Sequence, residues 1–184
     1  DPYITYDNRY IESVWWSLKQ IADRGLLYKG HKVVPYCPRC GTALSSHEVA
    51  QGYQDVEEIS IIVRFKVVGE ADAFLLAWTT TPWTLPSNVA LCVNAEETYA
   101  RVQWRGQTLI LAKALVEPVL GEEARVLSTM PGSDLVGMAY EPLYSFTQPD
   151  KKAWYVVSDA YVTLTEGTGI VHIAPAFGED DARV

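Results

Sequence analysis

The chain has 184 residues, of which 48% are hydrophobic and 21% charged, enough apolar material to pack a domain and too much for a disordered segment. Its formal net charge of −8 argues against a general nucleic-acid binder, which must present many phosphate-facing Lys and Arg. The apolar stretches 59–63 and 73–78 are too short to cross a bilayer, no basic-then-apolar leader is present, and an odd count of three cysteines gives no disulfide framework, so a cytoplasmic protein with no membrane partner is expected.

An amphipathic helix is predicted first. Ile11, Val14, Trp15, Leu18, Ile21 and Ala22 recur at helical spacing, Asp7 or Asn8 suits the N-cap, and Gly25 suits the left-handed residue past the end. Residues 1–40 carry six basic and four acidic side chains, so the surplus acid lies in the rest of the chain. Any RNA contact is then local or shared with other parts of a larger protein. Residues 28–54, polar and Pro-containing, read as a hairpin-and-loop connector. The chain is thus divided at this level into 1–54, helix and connector, and 55–184, the main domain.

From Glu57 the pattern changes. Residues 59–68 alternate, with Ile61, Val63, Phe65 and Val67 on one face and Ser60, Arg64 and Lys66 on the other, as in a half-buried strand. Strands are also expected at 73–78 and 89–93. Segments 98–104 and 107–112 flank Arg105-Gly106, a hairpin turn. Residues 113–119 read as a short helix disturbed by Pro118, and 124–128, 154–158, 161–164 and 169–174 as further strands. Many short strands between turn signals predict a β-rich α/β fold, a barrel or strongly curved sheet with a few short helices. The closing run Asp180-Asp181-Ala182-Arg183-Val184 resembles the first turn of a helix, and with no Met at residue 1 a piece of a longer protein is expected.

Two stretches carry chemistry. In Trp78-Thr79-Thr80-Thr81-Pro82-Trp83-Thr84-Leu85-Pro86-Ser87-Asn88, three threonines follow an apolar strand and two prolines force the chain out of the sheet. The result is a rigid loop presenting hydroxyls, a Trp face and an amide, suited to an ester carbonyl, a ribose hydroxyl and a water. β-propensity alone is the competing explanation for the threonines. In the second stretch, 167–181, Gly167 and Gly169 permit tight backbone, His172 points opposite Val171 and Ile173, and Asp180 or Asp181 lies at a helix start. A carboxylate there can grip an ammonium group through charge-assisted hydrogen bonds, or simply cap the helix. Cys37 and Cys40 form half of a tetrahedral zinc site. His31 and His47 are the residues of this chain that could complete it. Cys92 reads as a buried core thiol.

These stretches resemble the editing insertion of the isoleucyl-tRNA synthetases. The match lies in the threonine-rich peptide 78–88, in 167–181 ending on an Asp, in 8–50 with Tyr36-Cys37-Pro38-Arg39-Cys40-Gly41, and more weakly in 132–137 with Tyr140-Glu141-Pro142-Leu143. Valyl and leucyl relatives usually carry Arg where this chain has Thr81, and lack its Trp83. The resemblance implies a β-barrel-like editing domain of a class I synthetase. It implies an aminoacyl-tRNA deacylase that hydrolyses the valyl ester of mischarged tRNA(Ile), after transfer and secondarily before it, within a ligase whose ATP chemistry lies elsewhere. Partners would be the 3′ end of tRNA(Ile) carrying valine and the rest of the synthetase chain.

The implied roles are specific. Asp181 anchors the α-amino group. Thr79, Thr80 and Thr81 bind the terminal adenosine and the ester, and Asn88 holds the ribose or the attacking water. Trp83 and His172 shape the side-chain pocket, with His172 blocking isoleucine. Asp181, Thr80 and Asn88 form the catalytic set. No cofactor is implied for editing, and zinc is implied for the full-length enzyme, its second ligand pair lying beyond Val184. One methylene commands only about 1–3 kcal/mol in an apolar pocket, the known reason this family uses a second, size-excluding site. An Asp committed to an ammonium is a poor base, so water activation by the RNA's own ribose hydroxyl is expected. The competing functions are a valyl- or leucyl-type editing domain and a non-catalytic RNA-binding or zinc connector module.

Overall fold

A computed structural model describes residues 3–146 and 148–184. The chain divides into two compact units, the first ending at Lys32 and the second spanning Val33–Val184. That division falls inside the segment 1–54, ahead of the break expected at 54–55.

The first unit is built on α1 (Asn8–Asp23), whose N-cap is Asp7: its Oδ1 accepts the Arg9 N–H at 2.9 Å. Gly25, at φ 70°, lies just past the helix end. No residue of α1 is buried, and Trp15 and Trp16 are 67% and 65% exposed.

The second unit begins with a small hairpin, β1 (Tyr36–Cys37) and β2 (Thr42–Ala43), followed by α2 (Ser46–Ala50). A capping box starts α2: Ser45 Oγ accepts the Glu48 N–H and Glu48 Oε2 accepts the Ser45 N–H. None of these three elements contributes a buried residue.

The remaining strands are β3 (Ile61–Lys66), β4 (Ala73–Thr79), β5 (Ala90–Val93), β6 (Thr98–Trp104), β7 (Gln107–Ala112), β8 (Arg125–Pro131), β9 (Tyr155–Ser158) and β10 (Ile170–Ile173). They form one mixed sheet in the order β8-β6-β7-β4-β10-β5-β9, with β3 also on β4. β4 is the branch point. One of its edges pairs antiparallel with β3, from Ile61↔Thr79 to Lys66↔Phe74. The other is shared between β7, parallel at 73–75, and β10, parallel at Trp78. Two bridges, Val67↔Tyr140 and Ala139↔Tyr155, then link the end of β3 to β9 and close a small barrel. This is the barrel-like architecture the sequence predicts.

Alternation fills that barrel. Phe65 and Val67 of the predicted inward face are buried together with Leu75, Leu91, Val156 and Ile170, and Tyr140 meets Phe65 edge to face at 5.2 Å. β6, β7 and β8 extend the sheet as a wing, where Val102, Leu109 and Leu111 pack with Val116 of α3 (Val116–Leu120). The β6–β7 turn falls on Arg105 (φ 45°) and Gly106 (φ 84°), both left-handed as a two-residue hairpin requires.

Two expectations change. Pro118 does not disturb α3, because it occupies the first turn, where backbone N–H groups have no partner within the helix. Residues 161–164 are not a strand. The Val162 carbonyl accepts from Asn94 Nδ2 at 3.2 Å and the Tyr161 N–H donates to Asp159 Oδ1 at 3.0 Å, so side chains take up groups a ladder would use.

Candidate active site

β4 ends on Thr79, and the chain turns into a 3-10 helix, Pro82–Ser87, with Pro82 as its first residue. In that helix residues three apart lie above one another, which sets Thr84 over Thr81. The threonines bind each other: the Thr81 N–H donates to Thr79 Oγ1 at 3.0 Å and the Thr84 hydroxyl donates to the Thr81 carbonyl at 2.8 Å. Thr80 stands outside this chain of hydroxyls.

β10 lies between β4 and β5, with Val171 opposite Trp78 and His172 opposite Leu91. The approach to β10 needs glycine. Gly167 has φ 75°, and a Cβ there would come within 3.0 Å of the Trp78 ring. Past β10 the chain enters α4 (Glu179–Arg183) from Gly178. Asp181 folds back, and its Oδ2 accepts the Ala174 N–H at 2.8 Å. Arg183 pairs with Asp159 and Asp180, each at 3.0 Å. Of the two candidate carboxylates, Asp180 is therefore occupied by a cation and Asp181 is in no salt bridge among the described residues.

A cleft of about 360 Å³ results, and Thr79, Thr80, Thr81, Trp83, His172 and Asp181 all line it. Trp83 is 67% exposed and His172 only 6%. Burial holds the His172 imidazole below its ordinary value of 6.5, and the nearby Asp181 carboxylate only opposes this, so the ring is neutral at pH 7. Its Nε2 lies 3.0 Å from Thr84 Oγ1. The cleft thus combines a carboxylate, a set of hydroxyls and a neutral, walled-in imidazole. It can seat a small cationic group and hold a polar ester beside it.

Asn88 is not brought to this cleft. Its Nδ2 donates to the Ala90 carbonyl at 2.8 Å and its Oδ1 accepts the Tyr140 hydroxyl at 2.6 Å, so both ends of the amide are used inside the protein. It lines instead a separate cleft of about 270 Å³ with Pro86 and Trp154. Conversely, Thr84, Phe177 and Gly178 line the threonine cleft and were absent from the predicted set. The signal for Thr84 was present: Pro82 starts a helical turn as well as ending a strand, and Thr81 and Thr84 have the i, i+3 spacing of that turn.

Cys37 and Cys40 lie at the hairpin of β1 and β2. The Cys40 N–H donates to Cys37 Sγ at 3.3 Å and, as the leading cause, lowers the Cys37 thiol below its ordinary value. Two adjacent soft donors suit zinc. Among the described residues no group of three or more His, Cys, Asp or Glu that could hold a metal gathers. Cys92 is fully buried, and burial pushes its thiol up to about 11, as fits a core cysteine.

The profile of the class I tRNA synthetases (I, L, M and V) matches residues 1–178, and the chain belongs to that family. It is 65% identical over 181 residues to the isoleucine–tRNA ligase of Clostridium acetobutylicum, covering 98% of this chain and 17% of that protein. It is 54% identical to the isoleucine–tRNA ligase of Thermus thermophilus, covering 97% of this chain and 17% of that one. The chain therefore spans about a sixth of the length of these relatives. Among solved structures it resembles the editing domain of P. knowlesi cytosolic leucyl-tRNA synthetase (TM-score 0.56, 16% identity, 72% of this chain and 63% of the other). It also resembles the GlLeuRS-CP1 domain (TM-score 0.58, 19% identity, 68% and 58%). The fold is that of a synthetase editing domain. No helix among the described residues is long and apolar enough to cross a membrane.

Proposed function

We propose that this chain is the hydrolytic editing part of a cytoplasmic isoleucine–tRNA ligase and cleaves the valyl ester of mischarged tRNA(Ile). The observation that carries this reading is Asp181. Among the described residues its carboxylate is in no salt bridge, and it lines the same cleft as three threonines and a neutral His172. The valyl ammonium pairs with Asp181, leaving Ala174 to hold the carboxylate's other oxygen. Thr79, Thr80 and Thr81 face the ester and the terminal ribose. Water adds to the ester carbonyl, the bond to the ribose oxygen breaks, and valine and free tRNA leave. Asp181 is committed to the ammonium, so the proton of the attacking water is relayed through the neighbouring ribose hydroxyl to the leaving ribose oxygen, which departs as a hydroxyl. The side chain points at His172, where isoleucine's extra methylene meets a wall rather than losing a contact. The tRNA and the remaining synthetase chain are the partners. Zinc, if carried, is held by Cys37 and Cys40 with a second pair from outside this chain.

Asp181→Ala in the full-length ligase tests this. Hydrolysis of Val-tRNA(Ile) should fall by roughly a hundredfold, the worth of a charged hydrogen bond, with the unfolding midpoint nearly unchanged. Full activity would contradict it. Hydrolysis confined to a different mischarged amino acid would assign valyl or leucyl type instead, and no hydrolysis with zinc-dependent stability would assign a connector module.

A further inference from the structure

The cleft that Asn88 lines lies at the exit of the threonine loop. Its walls are residues 86–89 of that loop, Trp154, and the segment that carries Tyr144, Phe146 and Pro149. The 3-10 helix Pro82–Ser87 runs from the threonine cleft to this one. At about 2 Å of rise per residue the helix is about 12 Å long, a distance that neighbouring nucleotides of an extended strand can bridge.

One wall is held rigidly. Trp154 takes a left-handed backbone, φ 61°, which a bulky side chain adopts only where its surroundings demand it. Its backbone N–H donates to the Val89 carbonyl at 2.6 Å, and its indole N–H to the Asn88 carbonyl at 3.2 Å. Both ends of the Asn88 amide are used inside the protein as well. The cleft therefore offers ring surface and few free groups that could read the edge of a ligand.

The opposite segment is aromatic and exposed. Tyr144 and Phe146 are 44% and 75% exposed, and their rings stack on each other, 5.4 Å between centroids and 13° from parallel. Lys151 and Lys152 lie in the chain between two lining residues, Pro149 and Trp154. Among the described residues neither lysine is in a salt bridge, and together they outweigh the adjacent Asp150 in a chain of net charge −8. The cleft's 270 Å³ falls below the roughly 300–1,000 Å³ of pockets that enclose a drug-sized ligand, so it suits one ring system. An apolar peptide side chain would fill it without using the lysines. A base on its phosphate backbone uses both the rings and the charge.

We propose that this cleft is a second RNA subsite: it stacks the base of the nucleotide next to the esterified one on Tyr144 and Phe146, without reading its edge, while Lys151 and Lys152 meet the phosphates. The choice of strand rests on the function proposed above.

Deacylation by the full-length ligase tests this, with Val-tRNA(Ile) whose penultimate nucleotide is intact, exchanged for another base, or abasic. On the abasic RNA the wild type should lose roughly tenfold in kcat/KM, mainly through KM, as one stacked base commands. A base exchange should cost less than about threefold, because every base has a face to stack. Tyr144→Ala combined with Phe146→Ala should lose a similar factor on the intact RNA and nothing further on the abasic one. Phe146→Tyr keeps a ring and should behave as the wild type. No loss on the abasic RNA, or strong preference for one base, would overturn the proposal. So would an equal loss by the double variant on intact and abasic RNA, which would mean that another part of the ligase fills the cleft. If the wild type cleaves no valyl ester, the substrate reading fails, and uncharged tRNA with 2-aminopurine at the penultimate nucleotide still decides the subsite. Its fluorescence should be quenched by the wild type and not by the double variant; equal quenching by both would overturn the proposal.

Discussion

A Cβ on Gly178 would come within 3.0 Å of Asp181 Cγ and 3.2 Å of its Oδ1, so glycine at that position is what lets the carboxylate sit where it does. Gly178→Ala should displace Asp181 and lower valyl-ester hydrolysis roughly tenfold, since a shift well under 1 Å already spoils alignment. Thermal unfolding should move little, which separates this from a folding defect. His172 makes a different kind of prediction. Its folded value lies below the ordinary 6.5 because of burial. The unfolded chain therefore takes up the proton first as the pH drops, and stability present above about pH 6.5 is lost as the pH falls towards the folded value. Urea titrations at about pH 7.5 and 5.5 should show a lower midpoint at the acid end, with a smaller difference in His172→Asn. His172→Ala should also let Ile-tRNA(Ile) be hydrolysed, and failure of that change in a deacylation assay would remove the size-excluding role.

At the scale of elements, the barrel depends on the segment that joins β3 to β9. Tyr140 is 2% exposed, and its hydroxyl donates to Asn88 Oδ1 at 2.6 Å. This bond ties the exit of the threonine loop to the barrel's closure. Tyr140→Phe leaves the Asn88 oxygen buried without its donor and should cost about 1–3 kcal/mol in equilibrium unfolding, with hydrolysis at saturating substrate retained. The same contact accounts for Asn88 lying outside the threonine cleft. An amide next to a Thr run has a type that suits a site, but only the fold shows that a tyrosine 52 residues away uses it. The threonine loop itself was legible, because the Thr run and its two prolines are local. So was the β6–β7 hairpin, whose strands alternate on either side of Arg105-Gly106. The strand expected at 161–164 failed because its apolar residues, Tyr161 and Val162, pack against Cys92 and Ile173 as a covering loop.

At the scale of the whole chain, the sequence announced a curved, strand-rich domain but not how it closes. Closure rests on Val67↔Tyr140 and Ala139↔Tyr155, single bridges between residues far apart in sequence, and on β10 entering parallel to β4. Neither leaves a local pattern. That insertion brings His172 into the same cleft as Thr79 and the threonine loop after β4, and so makes one cleft of two motifs. The Cys37–Cys40 hairpin stands apart from this core, with no buried residue in β1, β2 or α2. Replacing both cysteines by serine should leave barrel unfolding and ester hydrolysis within about twofold of the wild type, since surface changes are usually worth under 0.5 kcal/mol. The most direct test of the central claim is a structure of the protein with a non-hydrolysable valyl-adenosine analogue. Its ammonium should lie within hydrogen-bond distance of Asp181, with the valyl side chain against His172. An analogue bound with its ammonium away from Asp181, or outside the threonine cleft, would contradict it.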